Sequence, residues 1–260
     1  MDNTLILKLI LTPMLIGGAS LAGRKWGHAV SGWVVALPLT SGPVVFFIAI
    51  SHGAAFGLVT SLGILSGGIS LAVFSLSYAW LAVFQKWPVT LFVSTALFLI
   101  STFILKSVFI PLWPLFFLIA LTFALTLRLM PRPVAGAALP VSIPRWDLPA
   151  RVIITTVFVL LLTELAPFMG ARLAGLLSTL PIMTATLTAF AHHQQGHASA
   201  NEVLRGLVMG LFSFAGFYLV LSLLLPVGIT IAFIAAILTA LILQGISLWV
   251  IQNRKPVYQG

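Results

Sequence analysis

Between Trp26 and Gln85 the chain carries no Asp, Glu, Lys or Arg. A stretch of that length cannot cover a water-soluble domain, whose surface needs charge to stay solvated. Over all 260 residues, 7% are charged and 60% hydrophobic, with a mean hydropathy of +1.18; soluble domains carry about 25% charged residues. This composition excludes an ordinary cytosolic enzyme and a disordered chain. The net charge of +9 would suit a nucleic-acid partner. The Lys and Arg residues, however, stand singly or in pairs between apolar runs, the pattern of a membrane protein with cationic loops. No nucleic-acid partner is expected. The chain has no cysteine, so it has no disulfide, no thiolate metal ligand and no Cys nucleophile.

A spanning helix needs about 20 mostly apolar residues. Nine stretches qualify: 4–22, 28–50, 55–82, 88–105, 109–129, 150–168, 172–192, 202–225 and 229–250. Polar or glycine-bearing breaks separate them at Ser51-His52-Gly53, Gln85-Lys86-Trp87-Pro88, Lys106 and Pro226-Val227-Gly228. The one sizeable loop, 130–148, holds Pro131, Pro133, Pro140 and Pro144 and cannot be a regular helix throughout. It reads as an extended cytoplasmic linker. The sequence Ala19-Ser20-Leu21-Ala22 resembles a signal cleavage site. Arg24 and Lys25 follow directly and would resist export, so the first segment reads as a retained helix.

Nine crossings put Arg24, Lys25, Lys86, Arg128, Arg132, Arg145, Arg151, Arg205, Arg254 and Lys255 on one side. Only Lys8, Lys106 and Arg172 fall on the other. The positive-inside rule makes the first side cytoplasmic. The expectation is a multi-pass protein of a bacterial inner membrane, N-terminus outside and C-terminus in the cytoplasm.

Shifted by 143 residues, 26–81 aligns with 169–224 without a gap. Gly27, Gly32, Pro38, Gly53, Gly63 and Gly67 meet Gly170, Gly175, Pro181, Gly196, Gly206 and Gly210. Apolar segments share leucines by chance, but shared Gly and Pro positions are far rarer. Two four-helix repeats, 4–105 and 150–250, are therefore expected, joined by a linking helix at 109–129. Equivalent points lie five crossings apart. Five is odd, so the copies are inverted. Inverted repeats around a midplane site are common among secondary transporters, which is an analogy of fold.

The second helix of each copy carries the candidate site. Copy one offers Pro38, Thr40, Ser41, Gly42 and Pro43; copy two offers Ser178, Thr179, Pro181, Thr184 and Thr186. A mid-membrane proline removes a backbone donor and clashes with the preceding turn. The freed carbonyls need partners where water is absent. Hydroxyls nearby can satisfy them or join them in holding a solute; otherwise these are simply kinked helices with Ser/Thr back-bonding. Gly63-x-x-x-Gly67 and Gly206-x-x-x-Gly210 read as close helix packing. Glu164 is the acidic residue inside a predicted span and, with His193, is a candidate for carrying a coupling proton. His192, His193 and His197 lack the convergent partners of a metal site. No metal, cofactor or catalytic residue is expected.

The second half resembles the GlpM-like family of small bacterial inner-membrane proteins. The resemblance is carried by Ala174-Gly175-Leu176, Pro181, Gly196 and Glu202-Val203-Leu204-Arg205, and covers roughly 170–250. In that family one four-helix unit is the whole protein; here the unit reads as duplicated and inverted. The resemblance implies a small membrane bundle and brings no catalytic residue.

The chain is thus expected to be an all-α, polytopic membrane bundle forming a single membrane domain. Its expected function is that of a small transporter or permease for a small neutral or anionic solute, not an enzyme. The alternative is a non-transporting assembly or scaffold subunit. Its surroundings are the lipid bilayer, and homo-oligomerisation is left open.

Overall fold

A computed structural model describes residues 13–14, 33, 35–131 and 147–253. The predicted span 4–22 lies outside the described residues apart from 13–14, as do most of the 130–148 linker and the tail beyond 253. Among the described residues there is no strand. The helices bounded among the described residues are, in order, α1 Ser41–His52, α2 Ala54–Phe84, α3 Trp87–Leu105, α4 Leu112–Leu129, α5 Asp147–Met169, α6 Ala171–Ser178, α7 Ile182–Gln195, α8 His197–Leu224 and α9 Ile229–Asn253.

The predicted boundaries hold for most elements to within a few residues. Three differ for physical reasons. The stretch 28–50, of which 28–32 and 34 lie outside the described residues, is interrupted at Pro38 and its regular helix starts only at Ser41. The stretch 172–192 is divided, because Pro181 cannot donate to the preceding turn and α6 stops at Ser178. The helix expected from 202 begins at His197, directly after Gly196. Its first turn, His197-Ala-Ser-Ala-Asn-Glu202, is too polar to register as a span but helical all the same. The corners before α2 and before α8 are Gly53 (φ 89°) and Gly196 (φ 82°), a backbone region that L side chains rarely adopt.

Among the described residues seven helical stretches are long and apolar enough to cross a membrane, α6 and α7 counting together as one; α1 is a shorter apolar helix. The outer faces of α3, α4, α5 and α9 expose Phe92, Phe103, Phe117, Phe168, Ile153 and Ile242. Apolar faces this extensive are not covered by protein and suit contact with acyl chains. The bundle is therefore all-helical and compatible with a multi-pass membrane protein.

The two longest helices, α2 and α8, form its centre and run antiparallel. Ser61, early in α2, shares a 2.8 Å hydrogen bond with Ser222, late in α8. Between them are packed Phe74, Tyr78, Phe214, Phe217 and Tyr218, with Phe123 and Ile119 of α4 closing one side. Tyr218 stacks edge-on against Phe214 and Phe217, with ring centroids 4.7 and 4.9 Å apart.

Glycines bring each long helix onto the short broken segment beside it. A Cβ at Gly63 would strike the backbone of Arg172, and one at Gly67 would strike the Thr179 side chain. A Cβ at Gly175 would strike the Thr60 carbonyl, and one at Gly210 would lie 2.8 Å from the Trp33 carbonyl and against Ala36. Two arginines tie down helix ends. Arg172 donates to the carbonyls of Leu105 (3.0 Å) and Val108 and lies over the Phe109 ring. Arg205 donates to Met130 (3.0 Å) and Pro131 (2.8 Å) beyond α4. Cations at helix C-termini meet the negative end of the dipole.

Gly175→Ala should lower the thermal midpoint of the detergent-solubilised protein, at a cost of about 1–3 kcal/mol, because backbone rather than a movable side chain occupies the space. Gly245→Ala, where nothing lies within 4 Å of an added Cβ, should leave the midpoint unchanged or raise it slightly.

Candidate functional site

Each proline that interrupts a span sits at the centre of the same local turn. Around Pro38, the Leu39 N–H donates to the Leu37 carbonyl at 2.7 Å. Around Pro181, the Ile182 N–H donates to the Leu180 carbonyl at 2.8 Å, with Pro181 at φ −79° and ψ 49°. These are inverse γ-turns, and proline suits them because its φ is already near −65°. Each proline carbonyl then accepts from the residue four on: Gly42 N–H to Pro38 at 2.8 Å, Ala185 N–H to Pro181 at 2.6 Å. The helix restarts at once in both places, as α1 and as α7.

The two turns face each other across one small cleft of about 50 Å³. Residues 35–37 and 39–41 line one wall and residues 178–184 the other, with Leu71 of α2 and Phe214 of α8 among the residues that close it. The first turns of α1 and α7 both open onto this space. Neither N-terminus is capped by a side chain. Of the first amides, those of Gly42 and Val44 in α1 bond back to the Pro38 and Thr40 carbonyls and Pro43 has none, while those of Ile182 and Ala185 in α7 bond to the Leu180 and Pro181 carbonyls; the dipole still makes each end favourable to negative charge.

The hydroxyls divide into three groups. Ser178 and Thr179 are spent on their own helix, donating to the Gly175 and Leu176 carbonyls at 2.7 Å each. Ser41 is buried and accepts a 2.7 Å hydrogen bond from the Tyr218 hydroxyl, which leaves its own proton free to donate. Thr40 and Thr184 line the cleft with hydroxyls that make no hydrogen bond to a described residue, and Thr184 is 3% exposed. Among the described residues no charged side chain lines the cleft. Its described lining can therefore orient a small polar group through hydroxyls and helix ends, and includes no residue suited to moving a proton.

The remaining sequence candidates lie elsewhere. Pro38, Gly42 and Pro43 turn towards a separate apolar groove of about 440 Å³ between α1 and α9. Gly42 does not break the helix: it lies inside the first turn of α1, and the break is centred on Pro38. Thr186 donates to the Ile182 carbonyl at 2.7 Å and lines a third pocket of about 240 Å³ with Trp87 and His193. His193 is exposed, its ring 5.8 Å from that of Trp87. Glu164 is exposed on α5 and does not line the cleft. Among the described residues no group of His, Asp or Glu could hold a metal ion.

Several contributors carried little signal in the sequence. Tyr218, Leu71 and Phe214 read as core at helical spacing. Gln244 was legible as the amide within the last predicted span: it is buried and donates to the Trp33 carbonyl at 2.8 Å, just before the first break. His192, not His193, is the histidine turned inward, its Nδ1 3.4 Å from the Tyr78 hydroxyl. Comparison of the chain with protein families, curated proteins and solved structures finds no match.

The Tyr218–Ser41 hydrogen bond ties α8 to the restart of the first broken span. In a double-mutant cycle of Tyr218→Phe and Ser41→Ala, read from unfolding in mixed micelles, the two should couple by about 0.6 kcal/mol, the average for hydrogen bonds between membrane helices. Additivity would show the bond to be energetically idle.

Proposed function

We propose that the chain is a small secondary transporter or permease of a bacterial inner membrane, built from two inverted four-helix repeats joined by α4. Its substrate site is the cleft where the two interrupted spans meet. One observation carries the reading. Two proline-centred γ-turns, 143 residues apart, line the same cleft and point two uncapped helix N-termini at it. Discontinuous helices that meet at a central site are the recurring device of such transporters.

Further contacts support the repeat. Gly67 abuts Thr179 while Gly210 abuts Ala36, and the same shift of 143 converts one pair into the other. The antiparallel course of α2 and α8 suits inversion. The charge pattern agrees with nine crossings, the N-terminus outside and the C-terminus cytoplasmic. Arg172 lies against the stretch holding Lys106, and Arg205 against the end of the helix holding Arg128. On this reading the second half is a GlpM-like unit and the first half its inverted copy. With no cation among the described residues of the cleft, the solute is small, and either neutral or an anion held by helix ends and hydroxyls.

The small free volume and the close helix contacts favour a second reading, a rigid assembly subunit in which the prolines serve packing only. The two readings predict different outcomes. In proteoliposomes tested for solute-driven currents with small carboxylates and polyols, a transporter should respond to at least one. That response should be lost in Thr40→Val and Thr184→Val, whose thermal midpoints should stay within a few degrees. An assembly subunit should give no current with any of them and should tolerate both changes in the cell.

Topology is tested separately. Gly53 and Gly196 have positive φ, so single cysteines belong at the exposed neighbours, His52→Cys and His197→Cys. An impermeant maleimide added to intact spheroplasts should label the first and reach the second only after permeabilisation. Labelling of both from one side would end the inverted-repeat reading and the main support for transport.

A further inference from the structure

The cleft and the apolar groove share a wall. Leu37 and Leu39 line both, so the space between the two first turns and the space between α1 and α9 adjoin at those two residues. Resting on the transporter reading, we propose that the substrate is a single-chain amphiphile with a small anionic head such as a carboxylate. The head sits in the cleft and the alkyl chain lies in the groove.

Each part of that ligand answers a separate feature. The groove has about 440 Å³ and its described lining side chains are all apolar, among them Phe46, Phe217, Phe233 and Ile237. That volume lies in the usual range of ~300–1,000 Å³ for sites that enclose a small molecule. Its mouth is on the lipid-facing side, since Ile237 and Leu241 on the groove are 49% and 57% exposed. A chain can therefore enter sideways from the bilayer without crossing water. The cleft is of opposite character. About 50 Å³ holds a few waters at ~10–15 Å³ each, which suits a carboxylate and excludes a sugar or a nucleotide. Negative charge is favoured there by two uncapped helix N-termini. Thr184, a buried residue on the cleft whose hydroxyl makes no hydrogen bond to a described residue, supplies a donor at the same place.

A free aqueous anion would have no use for the groove, and an alkane none for the cleft. The third pocket does not offer the same pairing. It is smaller, about 240 Å³, it contains Thr186 and His193, and none of its lining residues lines the cleft. The chain is thus assigned to the α1–α9 side alone.

The test uses the full chain in phospholipid nanodiscs. The probe is a long-chain carboxylate bearing a mid-chain diazirine, photolysed and mapped by mass spectrometry. Saturable adducts are expected on peptides covering 37–46 and 233–241. An unlabelled carboxylate of equal length should displace them, and the corresponding primary alcohol should not. Ala240→Phe, which fills the groove, should abolish these adducts. Ile237→Trp, at the more tolerant half-exposed mouth, should do the same if the first variant misfolds. Thr184→Val should leave groove adducts at high probe concentration but weaken displacement by the carboxylate.

Adducts that spread over the outer faces of α3, α4 and α9 without saturating would overturn the proposal, because the groove would then be ordinary bilayer contact. Equal competition by the alcohol would overturn the anionic head. If groove adducts are absent while short carboxylates still drive currents sensitive to Thr40→Val, the amphiphile falls and the transporter stands. If currents are absent as well, both fall.

Discussion

A proline in the middle of a membrane span leaves a carbonyl without its helical donor in a medium that offers no water, and the rest of this structure is arranged around that cost. At Pro38 and Pro181 the chain settles it locally, by closing a γ-turn over the proline and restarting the helix at once. A restart, unlike a kink, exposes a fresh N-terminus in mid-bundle. Such an end is polar and uncapped here, so it must be buried in protein or face a polar ligand, and it cannot lie against lipid. Bringing the two restarts together in one cleft meets that requirement for both at once.

That arrangement needs the broken segments to come much closer to the long central helices than ordinary side chains allow. Glycines at 63, 67, 175 and 210 make the approach possible, each lying where a Cβ would meet backbone or a neighbouring side chain. The polar bonds that hold the breaks run inward from the same long elements. Tyr218 of α8 holds Ser41, and Gln244 of α9 holds the Trp33 carbonyl. Neither bond spans the cleft. Its two walls are therefore held from behind, each by the elements it packs on, and the space between them is left without a protein crosslink among the described residues. A pair of walls supported in this way can separate without first breaking a hydrogen bond between described residues.

Much of this was readable from residue types. Helix positions followed from apolar runs because a membrane span has one dominant requirement, length of apolar chain. The breaks followed from proline, whose missing N–H does not depend on context. Thr40, Ser41, Ser178, Thr179, Pro181 and Thr184 do line the cleft, since all of them flank one of the two breaks, although Ser178 and Thr179 bond to carbonyls of their own helix. What failed to read was direction around the helix. Thr186 lies two residues beyond Thr184, about 200° around an α-helix, and faces the opposite pocket. Pro43 and Gly42 likewise turn to the apolar groove. Which face looks inward depends on what packs there, and Tyr218, Leu71 and Phe214 come from segments far away in sequence.

The residues that spoil the likeness between the two halves are the ones that give the candidate site a direction. Where the second half has Ala185 and Thr186, the first has Gly42 and Pro43. Thr186 keeps a hydroxyl and shares its pocket with His193. Gly42 and Pro43 remove side-chain bulk and polarity from the equivalent surface of α1, and the adjoining groove is larger and wholly apolar. Two identical halves around a central cleft would bind a ligand equally well in either orientation. Here one flank of the cleft borders on apolar space open to the lipid side and the other does not. An elongated ligand therefore has one orientation in which its apolar part avoids polar side chains. On the proposed repeat, the copies keep in common what builds the cleft, namely the prolines and the glycines, and differ in the flanking residues that decide what can lie beside it.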